Sequence, residues 1–504
     1  MKKLEIKKQY LHIAIIVLGI IFILIPAFHN SLWFDESYSV AISNNHNLAE
    51  IWTIGSHDVH PILYYWMLKI VSLFFGNKII MYHIFSTIAV SILGILGYTH
   101  IRKDFGDNVG ILFSFFSFFL PINLVYASEI RMYSWAMLFV AIMAIYAYRI
   151  FKGQNSIKNW VIFSVFSLAS AYTHYYGLAV AGVINILLFI HFVKQSIKEK
   201  TFKKDLRTFI IQGIIQVILY LPWIFALLLQ VSQVSKGFWI TFAFPDTLFE
   251  IFSFQFTGNL GGEKYVNEWL SMIYGILCCA YIIYLLIKNR TKKEDISPAK
   301  YAILVYGLVV LGVCLASIIM KSAIIYARYF LVITALFMFF LSFVIGKLGS
   351  KKVNIFIAII TIFIASIANM ELVKINYDKS NPEPINYIKE NIKEGDILIY
   401  SNEAGSFGSG FVISANFPEY TQYFFDKENW NVEEAYKAYG PKMKTVYNLE
   451  FLQDYHGRIW FIGSTDYKLY EETSQMFDTI KLIDKQSFST KYRNYQYTFA
   501  ITEK

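Results

Sequence analysis

Residues 57–75 read HDVHPILYYWMLKIVSLFF, and the reading of their apolar part decides the topology of the whole chain. From Ile62 to Phe75 a helix reaches about 21 Å at about 1.5 Å per residue, short of a hydrocarbon core roughly 30 Å thick. Around it, apolar runs long enough to cross a bilayer recur at 11–28, 79–100, 109–126, 132–150, 160–174, 177–193, 209–229, 269–287, 301–320, 329–345 and 353–370, eleven in all. If the short stretch does not cross, the loops on the N-terminal side hold 23 Lys and Arg, from Lys2 to Lys352, and the opposite loops hold Arg131, Lys236, Lys264, Lys321 and Arg328. If it does cross, later basic loops fall opposite the basic N-terminus. The positive-inside rule therefore predicts a cytoplasmic N-terminus, eleven crossings and a helix over 62–75 lying in the outer interface. The aromatic group Tyr64, Tyr65 and Trp66 suits that position. The basic start of the first span also resembles a secretory signal, but no small-x-small cleavage site precedes Trp33, so an uncleaved anchor is expected.

Composition agrees. Of 504 residues, 56% are hydrophobic and 16% charged, with a mean hydropathy of +0.45; soluble proteins carry about 25% charged residues. A disordered chain and a wholly soluble enzyme are excluded. The net charge of +9 is unevenly placed: from Leu372 onward 15 Lys and Arg stand against 19 Asp and Glu, leaving +13 for the membrane part. That excess follows topology and gives no reason to expect a nucleic-acid partner. Cys278, Cys279 and Cys314 sit in apolar runs and form neither a disulfide framework nor a CxxC metal signature.

An odd number of crossings puts the tail outside the cytoplasm. The expected organisation is a multi-pass α-helical membrane domain over 1–371, with outer loops 30–62 and 232–268, and an extracytoplasmic α/β domain over 372–504. The tail reads as helical at 384–393 and as strands at 396–400, 458–463, 480–484 and 495–501, and shows no catalytic constellation. No internal repeat appears.

The polar groups of the membrane part gather at the outer helix ends, from five separate segments: Asp35 and Glu36; His57, Asp58 and His60; Glu129, Arg131 and Tyr133; His174, Tyr175 and Tyr176; Lys321, Arg328 and Tyr329. Ionisable groups near hydrocarbon are costly unless they pair or line a wet cavity. A cavity at that depth is open to an amphiphile, with its headgroup in the pocket and its tail in lipid. Arginine and lysine suit a phosphate, an acid suits proton removal from a hydroxyl, and the two aromatics beside the acids, Trp33 and Phe34, suit a sugar-stacking wall; Tyr64 is a further substrate-binding candidate. Each segment also has a structural reading: Asp35 and Glu36 as a solvated loop start, Asp58 as a helix cap ahead of Pro61, Glu129 with Arg131 as an internal ion pair, Arg328 as a snorkelling helix end, His174 as a packed histidine. His57, Asp58 and His60 are also candidates for a divalent metal, for which the sequence specifies no further ligand. The coincidence on one membrane face is the stronger signal.

The ordered series WFDES (33–37), HDVHPILYYW (57–66), ASEIRMYSW (127–135), THYYG (173–177) and ARYFL (327–331) resembles glycosyltransferase family 39, the protein O-mannosyltransferases and the lipid A aminoarabinose transferases, which share the GT-C membrane fold. The resemblance implies a polyprenyl-phosphate sugar donor used on the outer face. It places Asp35, with Glu36 beside it, at the catalytic centre. It assigns Asp58, His60 and Pro61, then Arg131 and Tyr133, then Arg328 and Tyr329 to the family's binding elements. Two departures stand out. A single proline follows His60 where many members have two, and Val59-His60 replaces the Glu-Lys of the aminoarabinose transferases, which argues against that activity. The acceptor, whether protein, lipid or glycan, is not specified. A flippase or carrier of lipid-linked saccharides, or a polymerase of them, is the alternative. A carrier should show midplane sites on broken helices in repeated halves, and a polymerase more arginine in larger outer loops.

Overall fold

The computed structural model describes the chain apart from residues 1, 200–203, 237–239, 244, 260–263, 293, 403–406 and 430–431. Parts of the predicted outer loop 232–268, and the basic residues Lys200, Lys203 and Lys293 counted above, therefore lie outside the described residues. The chain divides into two compact units. One comprises Met1–Ile25, Val59–Tyr64 and Ile84–Leu372; the other comprises Pro26–Asp58, Tyr65–His83 and Val373–Lys504.

Among the described residues nine helices are long and apolar enough to cross a membrane: Ile6–Ala27, Ile79–Phe105, Tyr133–Phe151, Tyr175–Lys198, Lys204–Ser235, Glu268–Thr291, Ser297–Met320, Ala327–Leu348 and Lys351–Asn376. A tenth span is the pair Asp107–Phe119 and Pro121–Ala127, bent by 55°. The bend has a local cause. Leu120 precedes a proline and is held extended (φ −70°, ψ 127°), so Phe119 ends one helix and Pro121 opens the next. The predicted span 160–174 forms the helix Ile157–Thr173, whose 17 residues reach about 26 Å. Eleven spans are reached only if this shorter helix is counted. Leu63–Phe75 is a separate apolar helix of 13 residues, as its length requires.

In the first unit small residues let helices approach closely, the packing mode expected where lipid tails are as apolar as leucine. A Cβ on Gly110 would stand 2.6 Å from the Gly97 carbonyl oxygen. Buried polar groups join the same helices: Ser114 Oγ donates to the Gly94 carbonyl at 2.6 Å and lies 2.7 Å from His12 Nε2.

The second unit carries a six-stranded sheet. Its strands are β1 (Ile397–Ser401), β2 (Thr421–Phe425), β3 (Met443–Val446), β4 (Arg458–Gly463), β5 (Lys481–Ser489) and β6 (Gln496–Glu503), in the order β3-β2-β1-β4-β6-β5. β1 to β4 are parallel; β6 runs antiparallel to β4 and to β5. Every residue of β1 is buried, as befits a central parallel strand covered on both faces. One face packs Ile397, Ile399, Ile459, Phe461 and Leu452 into a core. On the other, a Cβ at Gly410 would stand 2.6 Å from the Tyr400 ring, so the glycine lets helix Phe407–Asn416 sit down on β1.

Segment 30–62, read as a long loop, instead folds into the helices Phe34–Asn45 and Leu48–Gly55. The second is started by a capping box: Asn47 Oδ1 accepts from Ala49 and Glu50 N–H, and Glu50 Oε2 accepts from Asn47 N–H at 3.0 Å. Segment 232–268 likewise contains the helix Asp246–Thr257.

Candidate functional site

In the first unit a buried charged cluster forms from two separated segments. The break at Pro121 ends in the turn at Ser128–Met132, where Arg131 N–H donates to the Glu129 carbonyl at 2.7 Å. The short helical turn Ala327–Ile333 brings Arg328 opposite, its Nη1 3.5 Å from Glu129 Oε1. Glu129, Arg131 and Arg328 are each about 5% exposed. Two guanidinium groups, those of Arg131 and Arg328, and the Glu129 carboxylate are thus buried in this unit. The Arg328 guanidinium also lies 5.4 Å above the Tyr133 ring and 5.6 Å from that of Tyr326.

Aromatic rings and two histidines close the cluster. Tyr329 meets His60 at 6.0 Å, His174 at 5.2 Å and Tyr176 at 5.7 Å between ring centroids, and stacks on Tyr133 at 6.3 Å. His174 sits between the helices Ile157–Thr173 and Tyr175–Glu199, in extended conformation. Its Nδ1 accepts the Tyr176 N–H at 3.0 Å, which fixes the ring proton on Nε2, a buried atom with no hydrogen-bond partner among the described residues. Burial first, then Arg131 and Arg328, depress the His174 pKa to about 3. His60 is pushed well below the ordinary histidine value by burial, then by Arg131, His174 and Arg328. Both rings are neutral at pH 7, and His174 presents Nε2–H as a donor. Guanidinium groups and an N–H donor of this kind are chemically suited to an anion.

Three predicted residues of this unit stand elsewhere. Tyr175 donates to Gln230 Oε1 and accepts from Trp223 Nε1 at 3.2 Å, facing helix Lys204–Lys236. Tyr64 is buried and bonded to Ser86 Oγ at 2.9 Å. Lys321 is exposed, in left-handed conformation (φ 52°) at the end of Ser297–Met320.

The second unit holds the acids. Asp35 and Glu36 open helix Phe34–Asn45, where a carboxylate is favoured by the helix dipole, yet their environments differ. Glu36 has no solvent exposure. It accepts from Tyr492 Oη at 2.8 Å and from Trp33 N–H at 3.4 Å, and its Oε1 is 3.9 Å from His83 Nδ1. The His83 ring lies 3.9 Å from that of His29, whose pKa is held well below normal by burial, then by His83 and Arg493. Tyr495 Oη accepts from Phe34 N–H at 3.0 Å, and the Arg493 guanidinium covers the Trp33 ring at 4.4 Å. Asp35 is half-buried beside tyrosines: burial raises the hydroxyl pKa of Tyr439 and Tyr436 well above normal, and the Asp35 charge adds to both shifts. Asp58 accepts from Tyr65 Oη at 2.9 Å and also bears on Tyr436. His57 Nδ1 lies 3.0 Å from the Thr53 carbonyl. Among the described residues no group of three or more His, Cys, Asp or Glu is arranged to hold a metal ion.

The tail residues Tyr436, Tyr439, Tyr492, Arg493 and Tyr495 are absent from the sequence reading. Each reaches segment 33–58 across about 380 to 460 residues, and nothing local in the sequence marks them.

Residues 59–225 match the family model described as dolichyl-phosphate-mannose-protein mannosyltransferase. That stretch contains His60, Glu129, Arg131, Tyr133 and His174; Asp35 and Arg328 lie outside it. The structure of ArnT from Cupriavidus metallidurans bound to undecaprenyl phosphate is similar with a TM-score of 0.58 and 11% identity, over 98% of this chain and 97% of that one. The apo form of the same protein gives 0.60 and 11%, over 97% of each chain. No curated protein sequence is significantly similar. The chain thus has the fold of a multi-pass membrane protein, ArnT, and over residues 59–225 it is similar to the dolichyl-phosphate-mannose-protein mannosyltransferase family.

Proposed function

We propose that the protein transfers a sugar from a polyprenyl-phosphate donor to an acceptor hydroxyl on the extracytoplasmic face, with inversion at the anomeric carbon. The observation that carries this reading is the pair of buried guanidinium groups, Arg131 and Arg328, whose charges both bear on His60 and His174. A phosphate suits two guanidinium groups. The similar fold of an ArnT that binds undecaprenyl phosphate supports a lipid-linked donor. The loop charges support an extracytoplasmic C-terminus and a cytoplasmic N-terminus. In this reading residues 1–371 are the catalytic membrane domain and 372–504 a separate extracytoplasmic domain.

Asp35 removes the proton of the acceptor hydroxyl. The oxygen attacks the anomeric carbon as the bond to the phosphate oxygen breaks, and the electron pair leaves with the lipid phosphate. Arg131, Arg328 and the His174 Nε2–H stabilise the phosphate charge as it develops. Glu36 holds the start of helix Phe34–Asn45: its carboxylate is engaged by Tyr492 and Trp33. Asp58, His60, Tyr133 and Tyr329 shape the donor and acceptor sites.

The test is transfer of label from a mixture of radiolabelled polyprenyl-phosphate sugars in membranes, comparing wild type with Asp35→Asn. Label moving in the wild type alone supports the reading. Equal transfer by the variant removes Asp35 as the base. No transfer by either, with both proteins present in the membrane, moves the weight to a carrier of lipid-linked saccharides.

A further inference from the structure

The sheet of the C-terminal segment reverses direction at β1. From β1 the chain moves to β2 and β3 on one side and returns to β4 on the other, with β1 and β4 adjacent and parallel. In open α/β sheets, ligands bind outside the carboxyl ends of the strands at such a reversal. A cavity of about 130 Å³ lies there, lined by the end of β1 at Ser401, the end of β4 at Phe461–Gly463 and the turn that follows. The proposed transfer chemistry uses none of these residues.

The cavity is held open by specific contacts. A Cβ at Gly463 would stand 2.5 Å from Thr498 Oγ1 and 2.7 Å from the Asp466 carbonyl oxygen, so only glycine lets the turn fold back over β6. Thr498 Oγ1 donates to that same carbonyl at 2.5 Å. Ser409 Oγ donates to the Gly463 carbonyl at 3.1 Å and ties helix Phe407–Asn416 to the end of β4. The floor carries the buried hydroxyls of Ser401 and Ser464, and the rim carries Asp466, Lys468 and the rings of Tyr467 and Tyr470. Lys485 Nζ lies 4.6 Å from one ring centroid and 4.8 Å from the other and fixes both.

We infer that this cavity binds a neutral saccharide unit. Hydroxyls and a carboxylate offer acceptors to sugar hydroxyl groups, and tyrosine rings offer apolar faces to a sugar's carbon–hydrogen face. The charge pattern disfavours an anion: Asp466 stands at the rim, and Lys468 is offset by Glu472 at 3.7 Å. The size selects one ring, because pockets for larger ligands begin near roughly 300 Å³. The inference is independent of the proposed transfer reaction.

The test uses the full-length protein in a zwitterionic detergent without a sugar headgroup. Saturation-transfer NMR is recorded with glucose, galactose and N-acetylglucosamine, and phosphorus line widths with inorganic phosphate. The expected result is saturable transfer to at least one sugar, abolished by Ser464→Phe, which fills the cavity, and weakened about tenfold by Asp466→Asn, which keeps the turn bond to Lys468 N–H but removes the charge. Asp35→Asn should leave the sugar signal intact, which separates this cavity from the transfer centre. Should Ser464→Phe lower the melting temperature, Asp466→Asn alone decides. The inference is overturned by absence of sugar transfer, by a sugar signal indifferent to Asp466→Asn, by its loss in Asp35→Asn, or by phosphate broadening in place of sugar binding.

Discussion

Replacing Tyr492 by phenylalanine removes one oxygen atom and tests how the acidic segment is held. That oxygen donates to Glu36 Oε2 at 2.8 Å, and Glu36 has no contact with solvent. A hydrogen bond to a buried charge contributes about 1.5–3 kcal/mol. The phenyl ring still fills the space, so the loss is electrostatic. At about 1.4 kcal/mol per decade, the open population of this region should rise roughly ten- to hundredfold. The assay is hydrogen exchange of the full-length protein in detergent. Amides of helix Phe34–Asn45 should lose protection by that factor, while those of Thr334–Leu348, in the other unit, should not change. Exchange of 34–45 within about twofold of wild type would refute the reasoning, and would mean that Trp33 N–H and His83 suffice to hold the carboxylate.

Arg328→Ala leaves Glu129 buried with a partner removed and should lower stability by about 3–5 kcal/mol, read from thermal unfolding; Arg328→Lys should recover part of the stability yet still require more donor for transfer. His174, with a pKa near 3 in the fold against about 6.5 when released, stays neutral when folded and takes up a proton when unfolded anywhere between these values. Stability should therefore be flat above pH 6.5 and fall as pH drops, by about 2 kcal/mol at pH 5, and His174→Gln should flatten that limb. Gly410→Ala puts a Cβ 2.6 Å from the Tyr400 ring and should cost about 1–3 kcal/mol, seen as earlier proteolysis of the C-terminal segment, with no change if the helix simply shifts outward.

What the sequence discloses is what is local. Span length and apolarity are properties of one stretch of chain, and so the long helices are legible; the run 109–126 reads as one span, and the structure bends it by 55° at Pro121. Glu129 and Arg131 are legible because two charges stand beside an apolar run where charge is costly. β1 and β4 announce themselves as apolar runs, ILIYS and RIWFIG. β2 and β3, TQYFF and MKTV, are short and mix polar with apolar residues, so nothing but pairing with β1 makes them strands. The capping box at Asn47 and Glu50 is available in the sequence, but the helix that it starts, Leu48–Gly55, has only 8 residues and is too short to stand out. The hold on Glu36 was not available at all. Tyr492 is an ordinary tyrosine in a polar stretch, and only the fold gives it a partner 456 residues away.

The same charges that suit the cluster of the first unit to phosphate also bear on the part its histidines take in the proposed reaction. A phosphate bound beside Arg131 and Arg328 would offset their part in lowering the His174 pKa. Burial is the larger cause, however, and burial deepens when a ligand fills the space. The ring therefore stays neutral with donor bound, and the Nδ1 bond to Tyr176 N–H keeps its proton on Nε2. A neutral histidine so fixed gives a hydrogen bond and keeps its proton. That is sufficient, because a lipid phosphate departs as a stable anion and needs charge stabilisation rather than protonation. The one proton that must move is the acceptor's, and that task falls to a carboxylate. Of the two at the start of helix Phe34–Asn45, Glu36 is fully buried against Tyr492 and Trp33 and Asp35 is half-buried, so the proposed reaction gives that task to Asp35.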